Sequence, residues 1–273
     1  RLRCASSGRV HSVFARTVNV RLDDPGEADW VSLHGPGPIP APFGIACEAV
    51  PVMAGLEGAA VRVDADDILL DGRLGIRLDG AAILDTTLPT PAPLPSVSRC
   101  LAGALAGVTS GLLPATAALL AGTVPPTDPL ARTAWPALTR LHRATSVRDE
   151  ALCLTAAHPL LGLGPGLTPA GDDVLVGWLA GARAAGADGR DLVETVGPGL
   201  LADAAHRTGR LSRAFLSAAV AGHVAEPVHD FVLAPDEASL PGILGLGATS
   251  GADLLAGYLL ARAALATGES SWW

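Results

Sequence analysis

Between Leu88 and Pro95 the chain reads LPTPAPLP, with four prolines in eight residues, and this stretch limits the fold more than any other. Proline fixes φ and removes a backbone donor, so neither a helix interior nor a central strand can run through it, and an extended connector fits best. The hydrophobic period differs on its two sides. Before it, Val18, Val20 and Leu22 alternate with Asn19 and Arg21 at the period of two of a half-buried strand. Short apolar runs follow at Trp30–Leu33, Phe43–Cys47, Ala60–Val63, Ile68–Leu70, Leu74–Leu78 and Ala82–Leu84, separated by Gly, Pro and Asp. Asp79-Gly80 carries the sequence signal of a type I′ hairpin turn, where both central residues need positive φ. After the prolines the period becomes helical, over Val97–Val108, Ala115–Leu120, Leu130–His142 with a break at Pro136, Val147–Ala157, Val174–Ala185, Gly199–His206, Leu211–Ala221, Pro227–Leu233 and Asp253–Leu265. The expected fold class is α+β: a small β-barrel or sandwich over residues 1–90, then a mostly α-helical lobe over residues 91–273.

Two segments of the helical half repeat one pattern. GLGPGLTPAGDDVLVGWLAGARA, Gly162–Ala184, and GLGATSGADLLAGYLLARA, Gly245–Ala263, share Gly-x-Asp-x-x-x-Gly: Gly171, Asp173 and Gly177 correspond to Gly251, Asp253 and Gly257. Thr168 and Thr249 stand just before them. A glycine-rich turn entering a helix lets backbone N–H groups converge, and the helix start adds roughly half a positive charge. Each copy is therefore a candidate anion site, with Gly164, Gly166, Thr168, Gly171, Thr249, Ser250 and Gly251 as binding residues. Three roles stay open for Asp172, Asp173 and Asp253: helix caps, ligands for a divalent cation such as magnesium (Asp172 and Asp173), or catalytic groups that orient a reacting water or amine. In the purely structural alternative the aspartates are N-caps and the glycines serve close helix packing. The repetition suggests that the two turns face each other.

Composition removes several chemistries. All 19 basic side chains are arginine, so a Schiff base, a lysine-linked covalent cofactor and a lysine-containing phosphate loop are excluded. A net charge of −8 and the lack of a concentrated basic patch speak against a nucleic-acid surface. Cys4, Cys47, Cys100 and Cys153 form no CxxC pair and read as buried thiols. No charge falls between Arg99 and Asp128, yet Thr109, Ser110, Pro114 and Thr116 interrupt the stretch, so two soluble helices broken near Gly111 are expected rather than a membrane span. Few cysteines and the want of a charged-then-apolar leader fit a cytoplasmic protein.

GLTPAGDD, with the later glycine-serine-aspartate helix start, resembles the AllH family of oxamate carbamoyltransferase subunits. The strand GRVHSVFARTVNV (Gly8–Val20), the Gly35–Gly44 segment ending in PFG, and HRTGRLSRAFLSAAVAGH (His206–His223) resemble family signatures more weakly, and Gly209-Arg210 departs from the pattern there. The resemblance implies carbamoyl transfer between oxalurate and phosphate, giving oxamate and carbamoyl phosphate, by an enzyme of several different subunits or a homo-oligomer. Such a reaction needs donors for phosphate, donors for an oxyanion and a clamp for a carboxylate. The amides of Gly164–Gly171 are candidates for the first, and Arg207 and Arg210, as planar forks, for the clamp. His11 and His206 are candidate acid–base groups because imidazole titrates near neutrality. A non-catalytic subunit that binds a small anion to organise a partner chain, and a related amide- or carboxylate-handling enzyme, are the competing readings.

Overall fold

The computed structural model describes residues 6–23, 29–48, 55–93, 95–124 and 126–266. The chain divides between Thr86 and Thr87 into two compact units. The first is one curled seven-stranded sheet, a half-barrel. Its strands are β1 (Ser6–Val13), β2 (Thr17–Leu22), β3 (Trp30–His34), β4 (Gly44–Ala46), β5 (Ala60–Val63), β6 (Asp67–Leu70) and β7 (Leu74–Arg77). They lie in the order β4-β3-β2-β1-β5-β6-β7, antiparallel except for the β3–β4 pair. The period of two does its expected work: Val10, Val18, Val20, Val31, Leu33, Val61, Val63, Ile68 and Leu70 share one buried cluster.

Local turn chemistry corrects three expectations. Gly8–Val20 is two strands of a hairpin, with Phe14's N–H donating to the Thr17 carbonyl at 2.8 Å. The Asp-Gly hairpin is Asp71-Gly72, whose φ values of 52° and 66° are those of a type I′ turn, with Leu70 paired to Leu74. Asp79-Gly80 ends the sheet instead, and Ala82–Leu84 forms no strand; Ile83 is 84% exposed, so that run has no core face to bury.

The second unit is helical: α1 (Val97–Leu105), α2 (Leu113–Leu120), α3 (Pro129–Ser146), α4 (Glu150–Ala157), α5 (Ala170–Ala184), α6 (Ala187–Arg207), α7 (Arg210–Ala221), α8 (Glu226–Leu233), α9 (Leu240–Leu244) and α10 (Ser250–Leu265). The uncharged stretch resolves into α1 and α2 with Gly111 between them at φ +77°, and among the described residues no helix is long and apolar enough to cross a membrane. Pro136 does not break α3, which runs through it, and α6 begins twelve residues before Gly199 and contains Pro198. The proline connector lies along this unit, the Leu88 N–H donating to Gly222 O and the Ala92 N–H to Ala184 O, both at 2.9 Å.

Helices α5 and α10 are at the centre and make the most extensive pairing in the structure. Both are buried nearly all round, as helices that are apolar on every face apart from Asp172, Asp173, Asp253 and the arginines of their last turns require. Trp178 and Tyr258 are enclosed, and the indole N–H of Trp178 donates to Thr145 Oγ1 at 2.9 Å, so its polar edge is satisfied inside the core. Cys100 and Cys153 are buried thiols, Cys47 is only half-buried, and Cys4 lies outside the described residues.

Candidate functional site

The repeated glycines bring α5 and α10 into backbone contact. A Cβ at Gly177 would overlap the Leu254 carbonyl oxygen, and one at Gly257 would overlap that of Val174, so each helix leans on the other at the same point of the repeat. Gly171 and Gly251 are matched as well, each set against the carbonyl of a preceding short turn, Leu160 and Ile243 respectively. Close packing is thus one function of the pattern. A second consequence is that the two helix starts meet: Thr168 Oγ1 and Ser250 Oγ are 3.1 Å apart.

Not every amide of these turns is available. The Gly162 N–H donates to Asp172 Oδ1 at 2.8 Å, and the Gly171 and Gly251 N–H groups donate to Leu163 O and Leu246 O at 2.9 Å, so Gly171 and Gly251 shape the turns rather than offer donors. The amides of Gly164, Gly166, Leu167 and Thr168 on one side, and of Gly247, Ala248, Thr249 and Ser250 on the other, make no hydrogen bond among the described residues. Gly164, Gly166 and Gly247 have φ of +113°, +103° and +58°, backbone shapes that L side chains rarely take.

The three aspartates are not N-caps. Pro169 and Thr249 hold those positions, without a side-chain capping bond, and the aspartates lie within the first turns. Asp172 is a clamp: one oxygen takes the Gly162 N–H, the other the Thr208 hydroxyl, with Ser212 alongside, and these bonds restrain the rise in pKa that burial causes. Asp173 is 6% exposed, and its Oδ2 has no hydrogen-bond partner. Burial lifts its pKa to about 8, aided by the neighbouring Asp253 charge and opposed by the Ser250 and Thr168 hydroxyls. Asp253 is wholly buried; Oδ1 accepts the Leu112 N–H at 2.5 Å, Oδ2 has no partner, and burial raises its pKa to about 6.

Two protein-family models match the chain. The family model of the oxamate carbamoyltransferase subunit AllH matches residues 160–262, from the turn before the first glycine loop through most of α10, and that of the AllH family N-terminal domain matches residues 1–83. The chain belongs to the AllH family. No curated protein and no solved structure matches it. The family's description as a subunit implies a partner in a complex.

Within this AllH chain the remaining candidates separate. His206 and Arg207 are exposed on the last turn of α6, and Arg210 is exposed at the first residue of α7. Neither guanidinium is paired among the described residues, and the start of α7 reaches the glycine loop through the Ser212 hydroxyl, which donates to Leu167 O at 3.3 Å. His11 belongs to the other unit, on β1, with its ring edge-on to Trp30 at 5.0 Å between centroids. Among the described residues, no group of three or more His, Cys, Asp or Glu is placed to hold a metal ion.

Sequence reasoning passed over Thr208, Ser212 and the Gly111-Leu112 turn, which hold the aspartates in place. For the first two, nothing in the sequence marked them. A signal did exist for the third: GVTSG, Gly107–Gly111, repeats GATSG, Gly247–Gly251, with one substitution, and each precedes or enters a helix start.

Proposed function

We propose that this chain carries the small-anion site of an oxamate carbamoyltransferase, with the Gly164–Thr168 and Gly247–Ser250 turns holding phosphate, or the phosphoryl end of carbamoyl phosphate, at the joined starts of α5 and α10. One observation carries the reading: two matched turns with unbonded amides meet through Thr168 and Ser250. Oriented N–H groups at helix starts bind anions without a lysine, which this chain does not have.

The chemistry follows from that placement. In the direction of oxalurate breakdown, a phosphate oxygen attacks the carbamoyl carbon, the bond from that carbon to the oxamate nitrogen breaks, and the nitrogen takes a proton. Asp173, with a pKa near 8, holds a proton at neutral pH and stands beside Thr168 and Ser250, which suits it to give that proton. Its neutral form also spares a bound anion the repulsion of a buried carboxylate. Arg207 and Arg210 are the cationic clamp for oxamate, while His206, exposed at a helix end, stands as a secondary acid–base candidate. Of the Asp172–Asp173 pair only Asp173 has an oxygen without a partner, both Asp172 oxygens being engaged, so it is the one that would hold a divalent cation such as magnesium, and only in its ionised form.

The test gives the purified full chain carbamoyl phosphate and oxamate, follows phosphate release, and records melting temperature with each anion. Stabilisation by phosphate that disappears in Thr168→Val/Ser250→Ala is the expected result, because binding to the folded state raises its stability. A melting temperature indifferent to phosphate, oxamate and carbamoyl phosphate refutes the reading. Stabilisation without turnover selects the competing role, an anion-binding subunit whose partner performs the transfer; the engagement of Asp172 in structure rather than chemistry favours it.

A further inference from the structure

Away from the glycine turns, helices α1, α2, α3 and α10 enclose a cavity of about 200 Å³. Its wall is mostly apolar, made by Val97 and Leu101 of α1, Leu119 and Leu120 of α2 and Ala263 of α10. Helices that meet at their apolar faces normally fill the space between them, because protein interiors pack as densely as organic crystals. Here α10 contributes only a methyl group, and the space remains. Leu119, Leu120 and Ala263 are part-exposed, so the cavity reaches the surface. Ala263 stands near the far end of α10 from Ser250, roughly 20 Å away at the helical rise of about 1.5 Å per residue, so the cavity is a different place from the paired helix starts.

Two polar groups interrupt the wall. The Ser98 hydroxyl, in the first turn of α1, and the His142 ring, on α3, both line the cavity, and neither makes a hydrogen bond among the described residues. Burial lowers the His142 pKa, so at pH 7 the ring is neutral, with one nitrogen that donates and one that accepts. A neutral imidazole cannot balance a carboxylate or a phosphate, and among the described residues no arginine lines the cavity. Its two polar groups both donate and accept, which matches a hydroxyl on the ligand, while the rest of the wall matches hydrocarbon. Volume sets the size: a cavity of roughly 150 Å³ can hold benzene, so this one holds a single ring with small substituents.

We infer that this cavity binds a small uncharged molecule, a hydrocarbon body of the size of an aromatic ring carrying a hydroxyl that exchanges hydrogen bonds with Ser98 and His142. The site is independent of the anion reading. Its lining residues lie outside both matched family spans, residues 1–83 and 160–262, so the assignment comes from this chain's own geometry.

Titration calorimetry on the full chain tests it with three ligands of one shape, 4-methylphenol, p-xylene and 4-methylbenzoate, which carry a hydroxyl, a methyl and a carboxylate at the same position. The inference expects 4-methylphenol to bind in the millimolar range or below, more tightly than p-xylene and at least about tenfold more tightly than 4-methylbenzoate, whose charge the cavity cannot pair. Ser98→Ala/His142→Leu should reverse the order of the two uncharged ligands, since the hydroxyl then loses its partners. Ala263→Leu, which fills the space from α10, should weaken 4-methylphenol at least about tenfold and leave the phosphate titration as it is in the parent. A melting curve matching the parent qualifies each variant, and Ser98→Ala alone, at a part-exposed position, replaces the double variant where His142→Leu disturbs α3. No binding of 4-methylphenol in the millimolar range, equal affinity for it and either analogue, an unreversed order in the polar variant, or an affinity unchanged by Ala263→Leu overturns the site.

Discussion

Asp173→Asn tests the burial argument directly, because an amide of the same shape cannot titrate. In the unfolded chain the carboxyl loses its proton near 3.8, whereas in the folded protein it keeps the proton until about pH 8. Between those values the unfolded state binds fewer protons at this site, so stability falls as pH rises and levels off above 8. The slope is about 1.4 kcal/mol per pH unit for one group. Asp253 adds its own fall, but that ends near pH 6, so between pH 6 and 8 the difference between variant and parent isolates Asp173. Over those two units, with the slope flattening as the carboxyl begins to ionise near pH 8, the variant should gain about 2 kcal/mol on the parent. For a folding unit of this size that corresponds to roughly 4–8 °C in melting temperature. Calorimetric melts at pH 6, 7 and 8 provide the measurement. Parallel melting curves, with a constant offset between the two proteins across that range, would show that Asp173 is ionised throughout and that its burial has been misread.

Two further outcomes follow from the same geometry. Gly177→Ala places a methyl group on the Leu254 carbonyl oxygen, which no rotamer can relieve, and should destabilise by about 3 kcal/mol or more, whereas Gly242→Ala, meeting only Pro227 Cβ at 3.9 Å, should stay within about 1 kcal/mol of the parent; comparable urea midpoints for the two would deny the close helix crossing. Oxamate affinity should be constant from pH 6.5 to 7.5 and weaken by up to tenfold per unit above pH 8, as Asp173 ionises beside the bound anion; a flat profile to pH 9.5 in calorimetric titrations would separate the carboxyl from the site.

The repeated Gly-x-Asp-x-x-x-Gly was legible because a helix–helix crossing and a helix start leave marks at fixed spacing on a single chain. Its glycines were read as donors, however, and for Gly171 and Gly251 the structure uses them as spacers. The same property hid the first half of α6. Gly189 and Gly197 look like helix breakers in ADGRDLVETVGPG, yet a Cβ at Gly189 would overlap the Ala182 carbonyl oxygen and one at Gly197 would reach 2.7 Å from Val220 Cγ1. Those are contacts with neighbouring helices, α5 and α7, and packing against them overrides the weak intrinsic propensity. The β unit was legible from alternation, apart from its end, where Ala82–Leu84 has strand composition but no strand to pair with. Thr208 and Ser212 were invisible for a related reason: their importance lies in reaching Asp172 across a loop, which no local pattern encodes.

Packing and binding are connected here by electrostatics. The glycine crossing draws the starts of α5 and α10 together, and each start carries roughly half a positive charge, so joining them is unfavourable unless negative charge lies near. The acidic residues of the first turns supply it: Asp172 is held in place by Thr208 and Gly162, and Asp253 is ionised above about pH 6. Asp173, which occupies the corresponding place on α5, remains protonated near neutrality and adds no charge of its own, leaving less compensation at the joined starts than the three carboxyls could give. On the proposed reading that imbalance is what the incoming anion relieves. Replacing Asp173 with asparagine would preserve the vacancy of charge while removing the transferable proton, so anion binding should survive the substitution and carbamoyl transfer should not. If binding is lost and the fold retained, Asp173 contacts the anion directly as a donor, and the division between a main-chain binding surface and an acid beside it fails.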